Sequence, residues 1–333
     1  MDPLTSHRLI VLARIFVCSL IAFLSLNLSP AHAQDLLTQA EKAYDNGEYE
    51  ATISLVDSLV SLDTLSIDDD VPTALRVEAE AHLKMDSWGQ ALAALDDAVE
   101  RDPFFAGAYE LKARILTDHG SIVKAQAAAR EAARLEPQSQ DVQILFANIQ
   151  FKTEGYGASI DSYSKVLSLN PTNVEALINR GRAHLKLGNL EQAYFDAVDA
   201  IKIVPDRPAP YRVKGEAEFR ARQFQNAIDT YSKLIQTLNA SDGSVSSIAT
   251  AYSNRGQAKF NVGNLDDAIT DLNKAIELNP EFAVAYRTRG MAYGRKEERE
   301  PACANFEKAL ALGLDAPFKS EVQEIVDSYC ANP

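Results

Sequence analysis

The chain has 333 residues, 46% hydrophobic and 24% charged, with 15 Gly, 13 Pro and 3 Cys, which excludes a disordered or collagen-like chain. A formal charge of −14 argues against a sequence-independent grip on nucleic acid or an anionic membrane surface, because both need a basic face. The length fits two ordinary domains or one repeat array, and alanine-rich stretches with few β-branched runs point to helix.

Residues 1–33 read as a secretory signal peptide. Arg8 and Arg14 give a positive n-region, Ile15 to Leu26 an apolar stretch, Ser29-Pro30 a break, and Ala31-His32-Ala33 small residues for cleavage. The apolar run is short for a membrane span, which needs about 20 residues. A cut before Gln34 leaves 300 residues with 31 basic and 46 acidic side chains. The expectation is an exported protein, periplasmic or secreted, without stable membrane insertion after cleavage and without Cys18.

The rest of the chain repeats. Glu136-Pro137, Asn170-Pro171 and Val204-Pro205 are spaced by 34 residues, and extending that period places repeat starts near 33, 72, 106, 140, 174, 208, 249 and 283. Position 4 of each unit is mostly large and apolar (Leu75, Tyr109, Leu177, Tyr211, Tyr252, Tyr286). Position 8 is Ala or Gly (Ala79, Ala113, Ala147, Gly181, Gly215, Gly256, Gly290), and position 20 is usually Ala. Positions 4, 8 and 11 share one helical face, as do 20, 24 and 27, so each unit predicts two antiparallel helices in close contact. Glycine or a short polar turn near position 15 separates them (Gly47, Gly120, Gly188, Gly263), and proline at position 32 stops the second. Two connections are longer, one containing Asp68-Asp69-Asp70 and one Ala240 to Ser244; both are expected to be loop insertions. Asn239-Ala240-Ser241 fits a glycosylation acceptor and is read as an ordinary loop.

After the last repeat, Phe318, Val322, Ile325, Val326 and Tyr329 have helical apolar spacing. This predicts a capping helix within residues 317–333 that covers the array's exposed apolar edge. If it folds back antiparallel, Cys303 and Cys330 meet at one end. Export makes a bridge chemically reasonable; the alternative is two buried free thiols.

These positions resemble the tetratricopeptide repeat family across nearly the whole chain after the leader. The resemblance implies an all-α, right-handed superhelical solenoid of about eight helix-turn-helix repeats (residues 34–316) with a C-terminal capping helix. Paired cysteines near the carboxyl end are common in exported members, which adds support for the bridge. Thr52 and Ser159 replace the small Ala, Leu234 fills position 27 and Glu297 replaces the glycine turn, all expected to loosen packing locally.

Catalytic patterns are absent: no phosphate-cradling glycine loop, His-Glu-x-x-His, nucleophile elbow or calcium loop. His82 and His184 share position 11, three repeats apart, and read as packing residues. Asp266-Asp267 reads as a solvated pair and Trp88 as core. No enzyme activity, cofactor or metal is expected.

In the family the concave groove is lined by positions 2, 5, 9, 12 and 13 of each first helix, the face turned away from the core stripe. The first repeat offers Glu41 and Asp45, and the next three are balanced. The last four offer Arg182, Lys186, Arg212, Arg220, Arg287 and Arg295 against Glu175 and Glu216, with Phe219, Asn254 and Phe260 among them. Asn148, Lys152 and Asn179 complete the candidate groove. Members that bind acidic chaperone tails carry two asparagines, matched here by Asn148 and Asn179, but Ile144, Ala209 and Val213 stand where that clamp is basic. The leading expectation is an exported scaffold holding an acidic protein or peptide segment in the groove. The alternative is an assembly subunit of an envelope or secretion complex that uses its convex face and ends. Oligomeric state is not legible.

Overall fold

Each period folds as two antiparallel helices joined by a tight turn. The computed structural model describes residues 30–61, 70–241 and 243–330, with side chains from Ala33 onward. The signal-peptide reading, Cys18 included, falls outside these residues except at 30–33, and Asp68 and Asp69 also lie outside them.

The chain divides into two compact units, residues 1–153 and 154–333, with the boundary in the turn of the fourth repeat. The first unit contains α1 (Pro30–Asp45), α2 (Tyr49–Ser61), α3 (Val71–Lys84), α4 (Trp88–Arg101), α5 (Ala106–Asp118), α6 (Ile122–Leu135) and α7 (Gln140–Lys152). The second begins with α8 (Tyr156–Leu169), α9 (Val174–Leu187), α10 (Leu190–Ile203), α11 (Pro208–Arg220) and α12 (Phe224–Ala240). It continues with α13 (Val245–Asn261), α14 (Leu265–Leu278), α15 (Ala283–Arg295), α16 (Arg299–Ala311) and α17 (Phe318–Ile325), then a π-helical turn, Val326–Cys330. Every element among the described residues is helical, and within each unit the helix hairpins stack on one another as in a solenoid.

Position 15 is left-handed in all eight repeats. Glycine supplies it at Gly47, Gly120, Gly188 and Gly263, with φ of 79°, 76°, 79° and 87°. Asp86, Glu154, Arg222 and Glu297 adopt it at 58°, 60°, 60° and 63°. The turn needs that conformation so that the next amides reach back to the helix end, as Gly188 N–H does to Leu185 O (3.1 Å) and Asn189 N–H to His184 O (2.9 Å). A residue with a Cβ pays about 1 kcal/mol there.

Position 8 sets how closely the paired helices approach. A Cβ on Gly215 would stand 2.6 Å from the ring of Tyr231, and one on Gly290 2.8 Å from that of Phe306. Small residues here therefore make room for large ones at position 24 of the opposite helix. Thr52 and Ser159 do not open the packing. Both are fully buried, and each hydroxyl donates to a carbonyl at the start of its helix, that of Thr52 to Glu48 O just before it at 3.0 Å and that of Ser159 to Tyr156 O at 2.9 Å. Leu234 likewise fills the core.

The longer connection after the sixth repeat differs from expectation. Little of it is loop: α12 and α13 each run to 17 residues, against 13 or 14 in the neighbouring α11 and α14. No proline stops α12, so buried Leu238 continues its apolar stripe, and Ser244 accepts from Ser247 N–H to start α13. Asn239 is exposed on the last turn of α12.

Candidate binding groove

Within each unit, first helices of successive repeats touch one another: α1, α3, α5 and α7 in the first, α9 with α11 and α13 with α15 in the second. In each unit these helices lie side by side, and the candidate residues read from the sequence fall on them. Asn148, half-buried, and exposed Lys152 lie on α7 in the first unit. The other ten lie in the second unit.

Those ten do not form one uniform strip. On α9, Arg182 is exposed and its Nη1 donates to Asn179 Oδ1 at 3.4 Å, and Lys186 is exposed one turn later. On α11, Arg212 is exposed and makes no hydrogen bond or ion pair among the described residues. Half-buried Phe219 packs edge-on against Phe224 (5.4 Å between centroids). Asn254 is half-buried on α13.

Three of the predicted groove cations are engaged inside the protein. Arg220 donates through Nη1 to Leu185 O, and Arg295 does the same to Phe260 O at 3.0 Å, each 35 residues back. Position 13 thus staples the end of one first helix to the next. Phe260 is buried rather than groove-lining, with the Arg295 guanidinium 4.9 Å from its ring centre. Arg287 is the clearest correction. Its side chain is only 14% exposed and its Nη2 holds both oxygens of Glu321 on α17, at 2.9 and 2.7 Å. The reason is that the capping helix follows at one repeat length, so Glu321 lies 34 residues after Arg287.

A second set of cations was not singled out from the sequence. Position 7 is basic in each of the last four first helices, and every one turns inward. Arg180 forks onto Asp196 at 3.0 and 2.6 Å and reaches Ser164 Oγ at 3.0 Å. Arg255 forks onto Asp271 at 2.8 and 2.7 Å and reaches Ser232 Oγ at 3.1 Å. Lys214 pairs with buried Glu218 (2.6 Å) and Thr230 (2.7 Å), and Arg289 with Asn305 (2.8 Å) and Asn273 (2.6 Å). The legible signal was a period: polar residues at position 23 of the same repeat, and Ser or Asn at position 25 of the one before in three of the four.

The first unit has a different interior. Position 7 of its second repeat is Glu78, half-enclosed with Asp57 and Asp97 nearby. Burial, then these two carboxylates, push its carboxyl up to about 7. His82 Nε2 stands 3.5 Å from Glu78 Oε1, and burial lowers the imidazole pKa despite the pull of Asp57. Elsewhere, Arg76–Glu80 and Arg114–Glu110 pair along their helices, so those cations are balanced locally. Trp88 is not core: it is 45% exposed and stacks on His119, ring centres 4.5 Å apart. Its site at the first position of α4 puts it beyond the buried stripe.

At the carboxyl end, Val322 is fully buried with Ala302, Phe306, Ala309 and Leu314. A disulfide joins Cys303, the fifth residue of α16, to Cys330, with Cα atoms 5.6 Å apart. Among the described residues no three His, Cys, Asp or Glu side chains are grouped to hold a metal, and no helix is long and apolar enough to cross a membrane.

Profiles described as tetratricopeptide repeat match residues 76–140, 162–195 and 249–282. Hsp70-Hsp90 organizing protein 2 of Arabidopsis thaliana is 24% identical over 270 residues, covering 80% of this chain and 39% of that protein. The wheat (Triticum aestivum) Hsp70-Hsp90 organizing protein is 25% identical over 248 residues, covering 74% of this chain and 36% of that one. The chain thus spans less than two fifths of the length of these relatives. A tetratricopeptide repeat protein from Parabacteroides merdae superposes with a TM-score of 0.59 at 17% identity, covering 77% of this chain and 99% of that one. The APC/C Cut9–Hcn1 structure gives 0.58 at 17% identity, covering 87% and 54%. At that identity the likeness concerns the fold.

Proposed function

We propose, on the premise that this chain belongs to the tetratricopeptide repeat family and is a protein-interaction scaffold, that it is a non-enzymatic adaptor. It holds an acidic peptide segment against α9 and α11 of the second unit. One observation carries the reading: Arg212 is exposed without an internal partner in a chain of net charge −14. Arg182 and Lys186 stand one repeat earlier on the same row, a separation of roughly 10 Å that suits an extended chain. The guanidinium fork fits a carboxylate. The relatives named as Hsp70-Hsp90 organizing proteins agree with a role in holding other proteins. The clamp suited to chaperone tails is incomplete here, since one of its basic positions is the buried Val213.

The test is a labelled acidic peptide followed by anisotropy at low salt. The pair Lys186→Glu and Arg212→Glu is expected to weaken binding at least about tenfold while leaving helix content intact. Affinity of the unaltered protein should fall as salt rises, because exposed charges are screened over about 8 Å at physiological ionic strength. Unchanged affinity in the double variant would remove the site. The second reading, an assembly subunit working away from this row, draws on Phe195. That ring is 55% exposed beside a cavity lined by Leu190, Tyr194 and Ala221; loss of native complexes on Phe195→Ala alone would favour it.

We infer export as well, from the leader pattern. Because α1 begins at Pro30 and Ala33 is buried, cutting before Gln34 removes the helix's first turn and leaves the rest. Intact mass of the mature protein is expected to start at Gln34; a product retaining residues 1–33 would refute it.

A further inference from the structure

We propose that the surface beneath the C-terminal helix is a second binding site for an acidic, amphipathic helix. The chain's own tail is its resident occupant, and the Cys303–Cys330 bond controls its release. The inference rests on the reading of the first-helix row as acid-binding and extends it to α15, the last first helix.

The tail already binds as such a ligand would. Phe318–Cys330 carries Glu321, Glu324 and Asp327 against Lys319. Val322 is buried in the last hairpin, and the spacing of Phe318, Glu321, Val322 and Ile325 is that of a helix laid in a groove. Glu321 takes Arg287, and the Phe318 ring lies 4.3 Å from the guanidinium carbon. At the far end Arg299 Nη2 donates to Tyr329 O at 2.5 Å. Between these anchors a cavity of about 410 Å³ is lined by Phe260, Met291, Arg295 and Phe306 of the array and by Ile325 and Tyr329 of the tail.

The tail is an imperfect occupant. Both Glu321 oxygens sit on a single nitrogen, Nη2, while Arg287 Nε is buried with no acceptor. A carboxylate forked across Nε and Nη2 would satisfy both donors and gain one charge-assisted hydrogen bond. A competing helix can therefore bind better than the resident one. The disulfide adds a second covalent link beside the backbone, which raises the effective concentration of the resident tail over α15.

A dithiol reductant opens the tether by thiol–disulfide exchange. Its two thiols become a disulfide, and Cys303 and Cys330 each take up one electron and one proton to become thiols. The tail then remains covalently attached only through residues 312–317, and its noncovalent contacts with α15 become open to displacement by a ligand.

The probe is a labelled synthetic peptide copying residues 318–329, added to the full chain at low salt and read by anisotropy. The dithiol-reduced chain is expected to bind it at least about tenfold more tightly than the oxidised chain, because the competent state is no longer masked. Cys303→Ser with Cys330→Ser should bind like the reduced chain without reductant, and Arg287→Glu in that background should abolish the gain. Equal affinity in both redox states, or a gain that survives Arg287→Glu, overturns the proposal. So does loss of hydrogen-exchange protection throughout α15 and α16 on reduction, which would make the bond a staple of the last hairpin. An acidic-peptide response to Arg212→Glu that is the same in both redox states reads the α9–α11 site separately, so either site can fail alone.

Discussion

Replacing Asp271 with alanine is expected to cost about 3–5 kcal/mol, because it leaves two enclosed cations without their counter-charge. Asp271 is 3% exposed and accepts from Arg255 at 2.7 and 2.8 Å and from Lys259 at 2.9 Å. Its hydrogen bond is the main reason the Arg255 pKa is raised above its ordinary value. Asp196 is a built-in comparison. It is also buried but holds one cation, Arg180, so Asp196→Ala should cost less. Stability in a stacked array is roughly local plus nearest-neighbour, so the loss should concentrate in α13 to α16. Hydrogen exchange resolved by segment, with urea unfolding of the whole chain, checks this. Equal effects of the two substitutions, or a loss spread evenly over the second unit, would contradict it.

Glu78→Gln is expected to stabilise the first unit, and more so as pH rises. The folded-state pKa of Glu78 is about 7 against an ordinary 4.5, so between these values the folded chain holds a proton that the unfolded chain has released. Stability contributed by the protonated carboxyl is complete below about 4.5 and is lost as pH rises through 7. At one pH unit per 1.36 kcal/mol, the wild-type penalty above pH 7 approaches about 3 kcal/mol, and a neutral glutamine avoids it. The groups facing Glu78 are Asp57 from α2, Asp97 from α4 and His82 one turn along α3. His82 opposes the trend: its lowered pKa makes stability rise with pH below about 6.5. Both slopes belong to the wild type, and only the glutamate slope should vanish in the variant. Urea midpoints measured from pH 5 to 8.5 decide the matter. A constant offset between the two proteins across that range would mean that Glu78 is ionised throughout.

The periodic features were legible before the fold. Proline at position 32 and small residues at position 8 marked every hairpin whose boundary they touch, because each acts locally, by stopping a helix or admitting a neighbouring side chain. Even the exceptions followed local rules: where proline is missing after Leu238, α12 continues by a full turn.

Charge was the opposite case. The sequence shows that six cations fall at groove positions, but not which remain available. Arg220 and Arg295 reach carbonyls 35 residues away, and Arg287 is met by a carboxylate 34 residues later. A long flexible side chain takes whatever acceptor stacking brings within reach, and stacking is a property of neighbouring repeats rather than of one. The same reasoning applies to the inward Arg180 and Arg255, whose carboxylate partners lie 16 residues on, on the opposite helix, and whose hydroxyl partners lie 16 and 23 residues back, on the hairpin before. Sequence by itself therefore determined the hairpins, their register and the class of fold, all products of local spacing. Which cations are structural, which is covered by the tail, and which are left facing solvent, Arg212 among them, was decided only when successive repeats packed together.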